Sequence, residues 1–425
     1  MPAPDPIALL LAGQYPDPET GELLAADSRA VVIEDSLAGH EADLIAALGT
    51  GRNLAVVSDR ITHAILGQRI ERALTRFNLQ SIVLDAPRSD DATVADLEAA
   101  LSPGTDLVIA VGSGTLNDVT KLAAARRGCE QAVFATAPSM NGYCSLSASI
   151  TSHGIKTSYR TRTPAGVFFD LGILAAAPPR LICAGLGDSA CRPTAQADWL
   201  LSHLLLDTPY RETPFSLLAA DERDLFSDTS ALLAGDLETM RHLVRILVLS
   251  GFGMTLCNGS YPASQGEHMI SHYIDMMRPT SIAPRFHGEQ IAVCTATMVE
   301  LQERMLVRDR APILRTTTVD REAVIAHFGP VIGDGCWREL EHKRFVGPAL
   351  EALNGRLSQH WDTIRARIGA IHVRATTLRG LLTAAGAPIQ PSDLAWPAEL
   401  YANAVTHARE IRSRYTFLDL IADHH

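Results

Sequence analysis

Four short apolar runs, the first three each leading into a helix-patterned stretch, constrain this chain more than any other feature. They are "NLAVVSD" (53–59), "QSIVLDA" (80–86), "DLVIAVGSG" (106–114) and "QAVFATAPS" (131–139). Each is rich in β-branched and aliphatic residues and lacks the polar alternation of a half-exposed strand. Such runs are what a strand buried on both faces looks like. Between them, "ITHAILGQRIERALTRF" (61–77), "TVADLEAALS" (93–102) and "LNDVTKLAAARRG" (116–128) repeat their apolar residues at helical spacing. Strand–helix alternation of this kind predicts a parallel α/β sheet covered by helices.

"AVVIEDS" (30–36) opens the series, and the first 25 or so residues read as a loosely held extension. After Pro178–Pro179 the texture turns helical, as in "LETMRHLVRILVLSGFGMTL" and "ALEALNGRLSQHWDTIRARIGAI". The expected organisation is an extension over 1–25, a nucleotide-binding α/β domain over 26–178 and an all-helical domain over 179–425. A length of 425 residues predicts two or three domains, and 47% hydrophobic content allows a large core.

The net charge is −11, and no basic block interleaves with aromatics, so nucleic acid is not an expected partner. Seven cysteines, an odd number with no C-x-x-C pair, predict reduced thiols in a cytoplasmic protein rather than a disulfide framework. No apolar run approaches the roughly 18 residues needed to cross a bilayer. No membrane partner is therefore expected.

"VIAVGSGTLNDVTKLA" puts Gly112 and Gly114 at the end of a strand and the start of a helix. Glycine permits close backbone approach, and a helix N-terminus offers unpaired N–H groups to a pyrophosphate. A bare G-x-G is equally consistent with a tight turn that binds nothing. Asn117 stands where a third glycine would complete the dinucleotide motif. The following stretch, "FATAPSMNGYCSLSASITSHGIKTSYRTR", is dense in hydroxyls and reads either as a long surface loop or as a ligand loop at the carboxyl ends of the strands. Lys156, Arg160 and Arg162 lie just beyond it and could hold an anion, although solvated surface charge is the usual fate of such residues.

In the helical half, His268 and His272 share one helical face at i, i+4 in "QGEHMISHYIDMM". His287 opens "HGEQIAV" after Pro284, and Asp188 follows a Gly-x-Gly in "GLGDSACRPT". A carboxylate and imidazoles suit Zn²⁺, or Fe²⁺ where coordination positions stay open. The competing reading is a set of histidines bonded to backbone carbonyls.

"VGSGTLNDVTK", "ATAPSMNGYCS", "AGLGD", "GSYPASQGEHMISHY" and "FHGEQIAV" occur in the order of the motifs of the sn-glycerol-1-phosphate dehydrogenases. The chain resembles that family, within the iron-containing alcohol dehydrogenase and dehydroquinate synthase-like superfamily, over roughly residues 30–420. The resemblance implies a nicotinamide cofactor, NAD or NADP, held by Gly112, Gly114, Thr115, Leu116, Asn117 and Asp118, with Thr136, Ser139 and Ser145. It implies one divalent metal on Asp188, His268 and His287, usually zinc, with iron or nickel as alternatives. Asp188 and His272 become the catalytic residues, and both face the substrate together with Asn141. The implied reaction is hydride transfer between the cofactor and a small phosphorylated alcohol or ketone, foremost sn-glycerol 1-phosphate and dihydroxyacetone phosphate. The family also implies a homo-oligomer.

Two positions depart from the family pattern. Ser113 replaces the middle of three glycines, and Asn141 replaces a usual aspartate, losing a charge and an acceptor while gaining donors. A dehydrogenase of another polyol or phosphorylated alcohol, or a cyclase of the dehydroquinate synthase type using bound NAD, therefore stays open. A non-catalytic nucleotide-binding protein is the third alternative. Asp59, ending "AVVSD", would repel the 2′-phosphate of NADP if it reached the ribose. Arg192, one turn past Asp188, is either a further anion contact or a surface arginine.

Overall fold

The computed structural model describes residues 5–152 and 155–424. It divides into two compact units: Met1–Ser189 with Glu212–Gly259, and Ala190–Arg211 with Ser260–His425.

The described residues of the first unit contain ten strands: β1 (Tyr15–Pro16), β2 (Leu23–Leu24), β3 (Ala30–Glu34), β4 (Asn53–Asp59), β5 (Asn78–Leu84), β6 (Leu107–Gly112), β7 (Glu130–Ala135), β8 (Ser147–Ser152), β9 (Ile155–Arg160) and β10 (Gly166–Asp170). Six of them form one sheet in the order β3-β10-β7-β6-β4-β5, with every pairing parallel. Side chains alternate across it. Leu54, Val56, Leu107, Ile109 and Phe134 join a core on one face with Ile45, Leu66 and Ile70. Ala55, Val57 and Val108 join a core on the other with Val94, Leu97, Val119 and Leu122. This double burial is why the strands read as unbroken apolar runs.

The chain runs from β4 outward to β5, then returns to place β6 on the other side of β4. The carboxyl ends of β4 and β6 therefore flank a topological switch point, where open α/β sheets bind ligands. The glycine loop follows β6.

Several expectations change. The strand β10, "GVFFD", was not expected, yet it is fully buried and pairs with both β3 and β7. At five residues with no polar alternation, it gives no period to detect. The stretch after β7 is not a simple loop, because β8 and β9 form an antiparallel hairpin whose Ala148 and Ile150 are buried in the second core. The extension expected over 1–25 is tied down at Ile7, Leu10 and Asp17, while residues 18–23 are exposed; residues 1–4 lie outside the described residues. Asp5 caps the Pro6–Leu11 helix, Ile7 and Leu10 are buried, and Asp17 and Glu19 accept hydrogen bonds from Thr213. The expected boundary at Pro178–Pro179 falls inside the first unit, whose helix Pro179–Ala190 runs on to the division after Ser189. The Leu237–Leu256 helix also belongs to this unit, where Arg241 reaches Asp35 and Arg245 pairs with Asp5 and Asp221.

The second unit is helical, without a named strand among the described residues. Its core joins the helices Arg192–Leu206, Gly266–Met277, His287–Leu306 and Gly347–Gly369 through residues such as Leu201, Ile270, Ile274, Val293 and Leu357. An α/β nucleotide-type unit followed by an all-α unit is the fold class the sequence predicts. Among the described residues, no helix is long and apolar enough to cross a membrane. No disulfide forms among them either.

Candidate active site

In the first unit the loop after β6 turns directly into the Gly114–Arg127 helix. Ser113 is extended (φ −110°) and caps the helix without a side-chain hydrogen bond. The first-turn amides thus lack a side-chain cap, the arrangement that receives a phosphate. Gly112 is required by packing, since a Cβ there would lie 2.3 Å from the Leu116 side chain.

The other predicted cofactor residues fall into two kinds. Leu116, Asn117 and Asp118 point their side chains into the protein. Leu116 is in the core, the Asn117 amide donates to Asp118 Oδ1 (2.9 Å), and Asp118 Oδ2 accepts the Ser149 N–H of β8 (3.1 Å). Burial raises the Asp118 pKa against the pull of Lys121 and Lys156. The Thr136 N–H donates to the Gly112 carbonyl (3.2 Å), which fixes one loop against the other. Ser139 and Ser145 are buried, and Ser145 Oγ donates to the Gly142 and Ser147 carbonyls (3.0 and 3.1 Å).

Lys121, which the sequence does not single out, anchors this loop. Its buried ammonium donates to the carbonyls of Gly142 (2.8 Å) and Ser145 (3.1 Å). Burial lowers its pKa from 10.5 to about 8, although Asp118 pulls the other way. The unfolded chain therefore binds this proton more tightly than the folded one, so stability contributed through Lys121 rises with pH between about 8 and 10.5. We expect Lys121→Met to lose thermal stability near neutral pH and to raise the cofactor KM about tenfold, because the carbonyls of Gly142, Tyr143, Ser145 and Ser147 lose their charged donor. The wild-type protein should also gain stability over the variant between pH 8 and 10.5, by up to about 1.4 kcal/mol per pH unit. Denaturant unfolding across that range checks the slope.

Asp188 and Asn141 meet in this unit. Asp188 is buried, and its Oδ2 accepts the Asn141 backbone N–H (2.8 Å). The Asn141 side-chain amide donates to Ser250 Oγ (3.3 Å). Asp59 caps the short Arg60–Thr62 helix, accepting the Thr62 N–H at 2.7 Å. Arg160 donates to Asn258 (2.8 Å), and Arg192, in the second unit, to Gln196 (3.0 Å). Arg162 lines a cavity of about 310 Å³ with Arg29, Glu130 and Gln131, at the amino end of β7. That is the opposite end of the sheet from the glycine loop.

The second unit brings the three histidines together. His268 and His272 lie on the Gly266–Met277 helix, and His287 opens the His287–Leu306 helix. Ring centroids are 5.1 Å apart for His268 and His287, and 6.0 Å for His272 with each of the other two. His268 Nδ1 bonds Glu267 Oε1 at 2.8 Å, and Glu267 is fully buried. Burial would raise the Glu267 pKa, but the hydrogen bond and charge of His268 outweigh it and hold it below its usual value. The carboxylate assigns the His268 proton to Nδ1 and makes Nε2 the donor nitrogen, the orientation that ligating histidines have. Two imidazoles, one backed by a buried carboxylate, fit a divalent cation of the zinc class. Cys191, Glu267 and His268 form a further buried group whose ligand atoms lie within 4.8 Å of one another.

Sequence reasoning also missed Glu267 and Arg412. Glu267 precedes His268 directly, so the "GEH" tripeptide was its only signal. Arg412 Nη2 lies 3.1 Å from His272 Nδ1 across 140 residues of chain, which no local pattern reveals.

Comparison with known proteins agrees with this architecture. Residues 32–178 match the family model described as iron-containing alcohol dehydrogenase. The chain is 28% identical over 375 residues to a protein of Bacillus velezensis named glycerol-1-phosphate dehydrogenase [NAD(P)+], covering 86% of this chain and 84% of the relative. It is 32% identical over 278 residues to the protein of that name from Pyrococcus furiosus, covering 64% and 78%. Among solved structures, sulfoacetaldehyde reductase from Bifidobacterium kashiwanohense in complex with NAD⁺ shares the fold with a TM-score of 0.59 at 15% identity, over 94% of this chain and 98% of that one. NADH-dependent butanol dehydrogenase A from Thermotoga maritima gives 0.59 at 14% identity, over 92% and 91%. The chain belongs to the glycerol-1-phosphate dehydrogenase family of the iron-containing alcohol dehydrogenases.

Proposed function

We propose that this protein transfers a hydride reversibly between NAD(P)H and dihydroxyacetone phosphate, giving sn-glycerol 1-phosphate. The observation that carries the reading is the histidine cluster of the second unit, with Glu267 buried behind His268. The names of the relatives supply the substrate and the cofactor class. In the reductive direction the cofactor loses a hydride, the carbonyl carbon gains it, and the oxygen takes a proton.

We assign His268 and His287, with Asp188, as ligands of one divalent metal, zinc by its preference for nitrogen and carboxylate donors. Such a cation, when bound, supplies Lewis-acid polarisation of the substrate oxygen. The chain's own residues do the rest. The uncapped helix start at Gly114 receives the cofactor pyrophosphate through its N–H groups. His272, whose Nδ1 accepts from Arg412, carries its proton on Nε2 and orients the substrate as a donor. Asn141 is held by Ser250 and presents its side-chain carbonyl to a substrate hydroxyl.

The test is oxidation of NADH and NADPH by the zinc-loaded protein with dihydroxyacetone phosphate, followed by nicotinamide absorbance. Turnover that stops on chelation and returns with the metal supports the reading. Absence of turnover with either coenzyme overturns it.

A further inference from the structure

Among the described residues of the second unit the two buried cations, Lys343 and Arg409, are matched by carboxylates, whereas the partly buried pair Arg412 and Arg414 is not. Arg409 bonds Asp423 at 2.9 Å and lies 3.3 Å from Asp419, and Lys343 lies 3.0 Å from Asp419. Arg412 and Arg414 follow immediately, between the Ala408–Ile411 turn and the Phe417–Ala422 helix. Among the described residues neither forms an ion pair. Glu339 acts on them only at longer range, and its carboxylate accepts the Ser413 N–H (2.8 Å).

The two arginines are not equivalent. Arg414 is the more engaged: it donates to the Ser264 carbonyl and to the carbonyl and hydroxyl of Ser260, and its guanidinium lies 4.3 Å over the Tyr261 ring. Arg412 makes one side-chain hydrogen bond, to His272 Nδ1. A guanidinium has five N–H donors in a fixed fork. Burial lowers the pKa of both, and the neighbouring Arg412 charge helps to bring Arg414 down to about 9. Two adjacent, sparingly solvated cations without a counter-charge cost stability unless an anion completes them.

We propose that Arg412 is the specificity-determining residue for a phosphorylated substrate, its guanidinium taking the phosphate dianion beside His272 while Arg414 adds fixed positive charge. This rests on the proposed reaction and names the group that distinguishes dihydroxyacetone phosphate from the unphosphorylated ketone. Fork geometry matches two phosphate oxygens at once. Because the same guanidinium holds His272 Nδ1, binding the phosphate and orienting the imidazole are done by one side chain.

The experiment uses the metal-loaded full chain, with Arg412→Met and Arg412→Lys, the second keeping the charge if the first does not fold. We expect the ratio of kcat/KM for dihydroxyacetone phosphate to that for dihydroxyacetone to fall on the order of a hundredfold in Arg412→Met. Arg412→Lys should recover about a tenth of the lost selectivity, because a point charge replaces the fork. Equal losses on both ketones, or no loss, would overturn the proposal, since a purely structural arginine moves both alike. Calorimetric titration with inorganic phosphate separates this idea from the proposed reaction. Should the wild type turn over neither ketone, a tenfold or greater weakening of phosphate binding in Arg412→Met still supports the subsite, and unchanged binding sinks it.

Discussion

His268→Ala is expected to leave the purified protein without stoichiometric metal and to lower kcat by about a thousandfold or more. His268 is fixed from behind by a buried carboxylate. Its Nδ1 is held by Glu267 at 2.8 Å, and Glu267 accepts the Gln265 N–H at 2.7 Å and a hydrogen bond from Thr194 at 3.3 Å. A ligand held this way costs little entropy to use, and removing it leaves too few protein donors for a catalytic zinc site. Removing only the support should do less: Glu267→Gln keeps a hydrogen-bonding group behind the ring and should cost about 10- to 100-fold in metal affinity. Metal content by elemental mass spectrometry, measured beside kcat, checks both. Full metal occupancy in His268→Ala would remove His268 from the ligand set.

Gly185→Ala should damage the same machinery without touching a functional group. A Cβ at Gly185 would lie 1.6 Å from the Pro138 carbonyl oxygen, and both positions are backbone, so neither can swing aside. The helix Pro179–Ala190 must then move away from the 138–141 segment, breaking the bond between the Asn141 N–H and Asp188. Overpacking against rigid backbone places the loss at about 3 kcal/mol or more, with turnover reduced beyond what the lost stability explains. The control is Gly355→Ala in the Gly347–Gly369 helix, where a Cβ meets nothing within 4 Å. That change should be neutral or stabilise by up to about 1 kcal/mol, because alanine is the better helix former. Thermal unfolding of the two variants side by side decides the matter. Equal stability would mean that the approach of Gly185 to Pro138 is not a constraint.

These two sites also mark where the reading of the sequence ends. "GLGD" reads there as a flexible Gly-x-Gly before Asp188. In the structure it is helix, and Gly185 is glycine because another backbone segment lies against it. The start of His287–Leu306 at His287 and the pairing of His268 with His272 on one helical face were readable, because caps and helical period are local. So were β4, β6, β7 and the helix after the glycine loop, whose core faces repeat at fixed spacing. The strand β10 was not: its five residues, directly followed by the Leu171–Ala175 helix, make too short an apolar run to stand out.

The sequence by itself determined the α/β-then-helical order, the glycine turn at a strand end and the histidine pair, because each depends on residues within one or two turns of each other. Only the tertiary structure decided that Lys121 anchors the 142–145 loop, that Glu267 rather than solvent backs His268, that Glu212–Gly259 returns to the first unit, and that Arg412 reaches His272. Those facts depend on which buried polar group finds which partner. In a folded core such partners come from any distance along the chain, and the cost of leaving a buried charge unmatched selects them.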